Sequence, residues 1–142
     1  MARALEPFLS NGALLIGTDT PSLSPALLAS SLQALRRNRV VIAPSLDGGY
    51  YAVGVRGAMP PIFTAIRWGS RTVFDATIKR LKRAGIPYAL GPAWYDVDRW
   101  ADVQLLAAHL RNLARTRRRA ESSPCPATES VIVRLGVLRH DR

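Results

Sequence analysis

Ala13-Leu14-Leu15-Ile16-Gly17-Thr18-Asp19-Thr20-Pro21-Ser22-Leu23 sets four apolar residues, Ala13 to Ile16, between the turn signals Asn11-Gly12 and Gly17. A short apolar run bounded in this way reads as a strand buried on both faces. An acid follows at once. Asp19 falls just past the strand's carboxyl end, the place where open α/β sheets hold their ligands. Thr18 and Thr20 flank it, and Pro21 turns the chain away. A carboxylate so placed faces a cation or a phosphate-bound metal rather than a core.

Downstream, Ser24-Pro25 reads as an N-cap followed by a proline at the first helical position. Leu28, Leu32 and Leu35 recur at helical spacing, and Arg36-Arg37 put cations in the last turn, where the helix dipole favours them. Val40 to Pro44 is a second buried strand, and Tyr50 to Val55 is strand-like again. Parallel neighbours need a crossover of about a dozen residues or more. The short Ser45–Gly49 link cannot supply one, so the second of these strands runs antiparallel and the sheet is mixed. A short helical turn is expected over Ile62–Ile66, a helix from about Thr72 to Ala84, and a short edge strand over Pro87–Leu90. A further helix runs from Trp100 to about Arg115, with Asp98 as its expected cap. Val131 to Leu138 fits a terminal strand or helix. Upstream, Met1 to Ser10 resembles the tail of a helix.

The 142 residues suffice for one modest α/β domain. The expected division is a partial domain over 1–115 and a basic linker and tail over 116–142, where Arg115 to Arg119 hold four arginines in five residues. Hydrophobic content of 48% excludes a disordered chain. No apolar run is long enough to span a bilayer, and no secretory signal opens the chain. A single cysteine, Cys125, excludes an internal disulfide framework and fits a reducing, cytoplasmic compartment. Net charge is +10, which attracts anionic ligands without choosing among them. Against that background the acids before Arg99 are few, namely Glu6, Asp19, Asp47, Asp75, Asp96 and Asp98. Four of them fall in loops at strand ends.

Three loops therefore hold the candidate chemistry. The first carries Asp19. The second is Asp47-Gly48-Gly49-Tyr50-Tyr51, whose glycines let backbone approach a ligand closely. The third is Tyr95-Asp96-Val97-Asp98, where an extended chain points both carboxylates to the same side. Mg²⁺ takes one or two carboxylates together with substrate phosphates. Asp19 and Asp98, with Asp96 beside them, supply that donor set for Mg²⁺ or Mn²⁺. Taken singly, Asp47-Gly48 also fits an ordinary turn and Asp98 an ordinary helix cap.

Gly17-Thr18-Asp19-Thr20-Pro21-Ser22-Leu23, Pro44-x-x-Asp47-Gly48-Gly49-Tyr50-Tyr51-x-x-Gly54, Trp68 and Tyr95-Asp96-Val97-Asp98 follow one another in an order and approximate spacing that resemble a bacterial GT-A-like glycosyltransferase family. Some of its members are of the arsenosugar-biosynthesis type, and the family is related to the nucleotide-diphospho-sugar transferases. The resemblance covers about residues 1–115. It implies the carboxyl-terminal part of a GT-A fold and a metal-dependent glycosyltransferase acting on a nucleotide-sugar donor and a small-molecule acceptor. It implies metal contacts from Asp19, Asp98 and Asp96, and a catalytic role for Asp47 as the group that orients or deprotonates the acceptor hydroxyl. Thr18, Gly48, Gly49, Tyr50, Trp68 and Ser70 take substrate-binding positions. The family's acid motif usually continues Thr-Pro-Glu-Asp, where this chain has Arg99-Trp100-Ala101-Asp102. The family's N-terminal half, with its Gly-rich basic phosphate loop, finds no match here, so the chain is expected to be a carboxyl-terminal portion.

Nucleotidyl transfer is the alternative within the same superfamily. A nucleic-acid-binding role for the basic tail is the rival from another class, and it lacks an aromatic platform or recognition motif. His109 and His140 stand too far apart in sequence to suggest a zinc site, and His109 reads as a surface residue.

Overall fold

The computed structural model describes residues 1–116 and 123–138. The chain opens with a one-turn helix α1 (Ala2–Leu5) and a 3-10 turn (Glu6–Phe8), then runs β1 (Ala13–Ile16), α2 (Pro25–Arg37), β2 (Val40–Pro44) and β3 (Tyr50–Val55). It continues through α3 (Val73–Arg83), β4 (Tyr88–Leu90), α4 (Trp100–Thr116) and α5 (Pro126–Arg134). The sheet order is β1-β3-β2-β4. β3 is antiparallel to both β1 and β2, while β4 is parallel to β2. The sheet is mixed, and β2 and β3 form a hairpin, as the short link requires.

Local chemistry explains most elements. The Ser24 side chain accepts from the Leu27 amide and Pro25 opens α2. On α3, Val73, Thr77 and Leu81 recur every fourth residue and are buried, while the cations Arg80, Lys82 and Arg83 close the helix. β2 is the centre of the molecule. Val41, Ile42 and Ala43 have no exposed surface, and Val40 has almost none. Val40 and Ile42 join Leu5, Val53, Val55, Ile62 and Leu81 in one cluster on the face covered by α3. Ala43 joins Tyr51 and Ala52 in a second cluster. A third core lies between α4 and α5, where Leu106, Leu110, Ile132 and Leu138 meet Tyr95.

The structure changes or settles three of the expectations. β1 is at the end of the sheet and half-buried, with Ile16 exposed, instead of buried on both faces. An apolar run shows that a strand is wanted, not how many neighbours it has. Ile62–Ile66 leaves a turn at Pro61–Ile62 and bends over Phe63–Ala65, with no helix. Of the two forms open to Val131–Leu138 the helix is present over Val131–Arg134, as the end of an α5 that starts at Pro126, and the residues after it turn away. β3 also breaks its alternation. Ala43 pairs with Ala52 and Pro44 with Tyr50, so Tyr51 is an extra residue opposite β2. Such a bulge shifts the side-chain period by one. Tyr50 thereby turns to the α3 face with Val53 and Val55, while Tyr51 turns to the other face with Ala52.

No helix among the described residues is long and apolar enough to cross a membrane. Truncating the centre of β2 tests this account of the core. Ile42→Ala is expected to destabilise the protein by about 2–5 kcal/mol in urea unfolding, and a smaller loss would show that β2 is not where packing is tightest.

Candidate functional site

The three acid-bearing loops are joined to one another by backbone hydrogen bonds. After β1, the Gly17 amide donates to the Tyr51 carbonyl at 2.7 Å and carries the ladder one residue further. The Leu23 amide closes a turn on Thr20 at 3.1 Å, which lifts Asp19 into solvent. The Asp19 carboxylate folds back over Gly17, its Oδ1 2.6 Å from where a Cβ would stand. In the β2–β3 hairpin, Asp47 Oδ1 accepts the Gly49 amide at 2.7 Å, an Asx turn. Gly48 has φ of +93°, and a Cβ there would overlap the Arg71 carbonyl. The Gly48 carbonyl in turn accepts the Phe74 amide at 3.0 Å, which seats the hairpin tip on the first turn of α3.

The third loop is held from both sides. Trp94 donates its amide to Pro44 and accepts that of Leu46, each at 3.1 Å, so the loop extends β2 beyond Ser45. Three residues on, the Val97 amide donates to the Asp19 carbonyl at 2.8 Å. That bond puts the residue between Asp96 and Asp98 directly against Asp19. Asp47, Asp96, Asp98 and Asp102 line one cleft of about 390 Å³, together with Arg71, Arg99, Ser70 and the exposed apolar side chains of Leu46 and Leu105.

Asp98 is the electrostatic centre of the arrangement. Its carboxyl is shifted above the usual carboxylate range, first by the protein crowded around it and then by the charges of Asp96, Asp19, Asp47 and Asp102. The side chain remains exposed to solvent despite that crowding. It is also not the helix cap. Asp102 Oδ2 accepts the amides of Asp98 and Arg99 at 3.2 and 2.8 Å, the reach-back half of a capping box. The cap function therefore falls to Asp102 and leaves the Asp98 carboxylate unspent.

The expected site residues divide into two sets. Asp47, Asp96, Asp98 and Ser70 line the cleft, and Asp19 is tied to it through Val97. Thr18, Gly48, Gly49, Tyr50 and Trp68 do not line it. Thr18 is exposed beyond β1, and the two glycines shape the hairpin tip. The Tyr50 hydroxyl is buried with no partner in hydrogen-bond geometry, and burial pushes its pKa up. Trp68 meets Tyr50 edge to face at 6.2 Å and lines a different groove, with Met1, Arg3 and Phe63. His109 is half-buried, with its Nδ1 2.7 Å from the Tyr95 hydroxyl, so it is not the surface residue expected. Sequence reading also passed over Arg71, Arg99 and Asp102. The acid at the third position of a helix was the available signal for Asp102.

Among the described residues no three Asp, Glu, His or Cys side chains converge to enclose an ion. A closed, all-protein metal cage is therefore not the arrangement present. The donor set fits an open Mg²⁺-type site, in which one or two carboxylates act with phosphate oxygens and water.

Two comparisons bear on this geometry. A family model described as "Uncharacterized protein conserved in bacteria (DUF2064)" matches residues 1–70, which include Asp19 and Asp47. A crystal structure of a "putative nucleotide-diphospho-sugar transferase" from Desulfovibrio desulfuricans G20 superposes with a TM-score of 0.72 and 29% identity over 94% of this chain. The fold is similar to that of a nucleotide-diphospho-sugar transferase. The chain spans 56% of the length of that neighbour. No curated protein matches it.

Gly48→Ala is expected to cost about 1–3 kcal/mol in thermal or urea unfolding, since the new Cβ meets backbone and the left-handed conformation penalises it. Wild-type stability in Gly48→Ala would mean the hairpin tip is not docked on Arg71. A second outcome follows from Asp98. A carboxyl whose folded pKa is raised favours folding fully below the usual carboxylate range, and loses that contribution as pH rises through the folded value. In metal-free buffer Asp98→Asn should therefore raise the Tm at pH 7, with the gain fading below about pH 4. A Tm difference that is the same at both pH values would show that Asp98 does not titrate under its neighbours' charges.

Proposed function

We propose that the chain carries the acid-lined part of a GT-A-type glycosyltransferase that uses a divalent cation, Mg²⁺ or Mn²⁺, a nucleotide-sugar donor and a small-molecule acceptor. The observation behind this reading is the Val97–Asp19 hydrogen bond, which sets Asp19 beside the cleft that Asp47, Asp96 and Asp98 line, in a transferase-like fold. Asp98 and Asp19, with Asp96 beside them, would hold the cation. When bound, it would neutralise charge on the departing nucleoside diphosphate. Arg71 and Arg99 flank the same cleft and would pair with phosphate oxygens. Asp47 spends Oδ1 on the Gly49 amide, which leaves Oδ2 to accept the acceptor hydroxyl and aim it. Ser70 would contact the sugar from the opposite wall, and Thr18, Gly48 and Gly49 would shape its approach. Tyr50 and Trp68 would support that wall from behind. No residue of this chain is assigned to the nucleotide base. A further segment bearing a phosphate-binding loop would complete the donor site, in keeping with the overlap of 56%. The cytoplasm is the compartment that nucleotide sugars and the single cysteine suit.

Calorimetry with a panel of nucleotide sugars, in Mn²⁺ and in EDTA, tests this. With the segment that completes the donor site present, binding is expected in Mn²⁺ and lost in EDTA, in Asp19→Ala and in Asp98→Asn. Affinity unchanged in both variants would remove the acids from the site. Product analysis separates the two chemistries. Glycosyl transfer releases a nucleoside diphosphate, whereas nucleotidyl transfer releases pyrophosphate.

A further inference from the structure

Behind the acidic cleft lies a chain of buried polar side chains that crosses between two loops. Trp94 Nε1 donates to Ser22 Oγ at 3.3 Å. Ser22 Oγ donates to the Tyr95 hydroxyl at 3.0 Å. The Tyr95 hydroxyl lies 2.7 Å from His109 Nδ1. Ser22 and Tyr95 are both buried, at 2% and 9% exposure, so water does not substitute for these bonds. Directions follow from the donor inventory. An indole nitrogen can only donate, and Ser22 donates to Tyr95, which leaves the Tyr95 proton free to go to His109 Nδ1. With His109 Nδ1 as the acceptor at the end, each proton of the chain has a partner. Stacking of Trp94 on Tyr95 at 5.4 Å, and of both rings edge-on to His109, fixes the planes of all three.

The position of this chain gives it a consequence. Ser22 lies three residues after Asp19, and Tyr95 immediately precedes Asp96. The two loops are otherwise tied by the Val97–Asp19 backbone bond alone among the cross-loop bonds described above. One backbone bond fixes a distance between loops. A second tie on the other side of the acids fixes their rotation. We propose that His109 is a positioning residue: through Tyr95 and Ser22 it sets the relative orientation of the Asp19 and Asp96–Asp98 loops, and thereby the affinity of the cleft for a divalent cation. This rests on the metal-site reading above, and the experiment separates the two.

Mn²⁺ alone serves as the probe, with its affinity measured by electron paramagnetic resonance on the full chain. Binding by the wild type, and its loss in Asp98→Asn, tests the metal reading by itself. If wild-type protein takes no Mn²⁺, that reading falls and the positioning role falls with it. Given wild-type binding, His109→Leu, which removes the acceptor, and Ser22→Ala, which opens the chain at the other loop, should each weaken Mn²⁺ about tenfold or more, as loss of partners behind metal ligands does. His109→Asn presents a carbonyl oxygen close to the Nδ1 position and should stay within about threefold of wild type. Imidazole ¹⁵N shifts should report the Nε2–H tautomer. Should His109→Leu fail to fold, Ser22→Ala still reads the proposal. Wild-type Mn²⁺ affinity in Ser22→Ala, or equal weakening in His109→Leu and His109→Asn, would overturn it, because packing rather than the hydrogen bond would then be responsible.

Discussion

The hydrogen bond from the Val97 amide to the Asp19 carbonyl forces like charges into company. It uses backbone on both sides, so it is indifferent to what the side chains carry. A hydrogen bond of this kind is worth about 1 kcal/mol net. That is too little to assemble a cluster of carboxylates unaided. The positioning comes from β2, whose buried Val40, Val41 and Ile42 each contribute about 1.5–3 kcal/mol on leaving water. Once β2 is fixed, the hairpin that follows it and the Trp94 segment that extends it have little freedom. Asp47 and Asp96–Asp98 arrive together because one strand serves both. In a chain of net charge +10 this local concentration of acid stands out further.

The bulge at Tyr51 is the second constraint. Without it, Tyr50 would fall out of register with Val53 and face away from α3. With it, consecutive tyrosines serve opposite sides of the sheet. Tyr50 buries its ring against the α3 core, and Tyr51 donates its hydroxyl to the Pro92 carbonyl at 2.9 Å, two residues before Trp94. The same shift that takes Tyr50 from the cleft therefore anchors the third loop from below. Residues adjacent in sequence have separate tasks, core support and loop support, because one extra residue reversed the alternation.

These details mark the limit of what residues alone convey. The Ser24-Pro25 cap, the burial of Val40–Ala43 and the antiparallel return through β3 were legible, since each follows from local chemistry or from a link too short to cross over. The convergence of Asp19 and Asp98 was legible as an expectation drawn from loop position at strand ends. The edge position of β1 was not, because an apolar tetrad is equally apolar with one neighbour or two. The turning of Tyr50 into the core was not, because a bulge depends on how two strands pair. His109 looked like a surface residue because its polar type outweighed its place three residues after Leu106, on the flank of the buried stripe of α4.

Asp98 and Asp102, four residues apart, divide the labour at the start of α4. Asp98 precedes α4 and has the type of a helix cap, which would occupy its oxygens with backbone amides. Asp102 takes those amides instead. A carboxylate that already accepts two amide hydrogens is stabilised where it stands and gains less from a cation. One that is crowded by other carboxylates and has no such donors gains more. The acids of this cleft differ accordingly. Asp102 holds the helix start, Asp47 holds its own turn with one oxygen, and Asp98 is left exposed under its neighbours' charge. Of the acids in and beside this cleft, Asp98 is therefore the one whose carboxylate is both crowded by like charge and free of backbone amides.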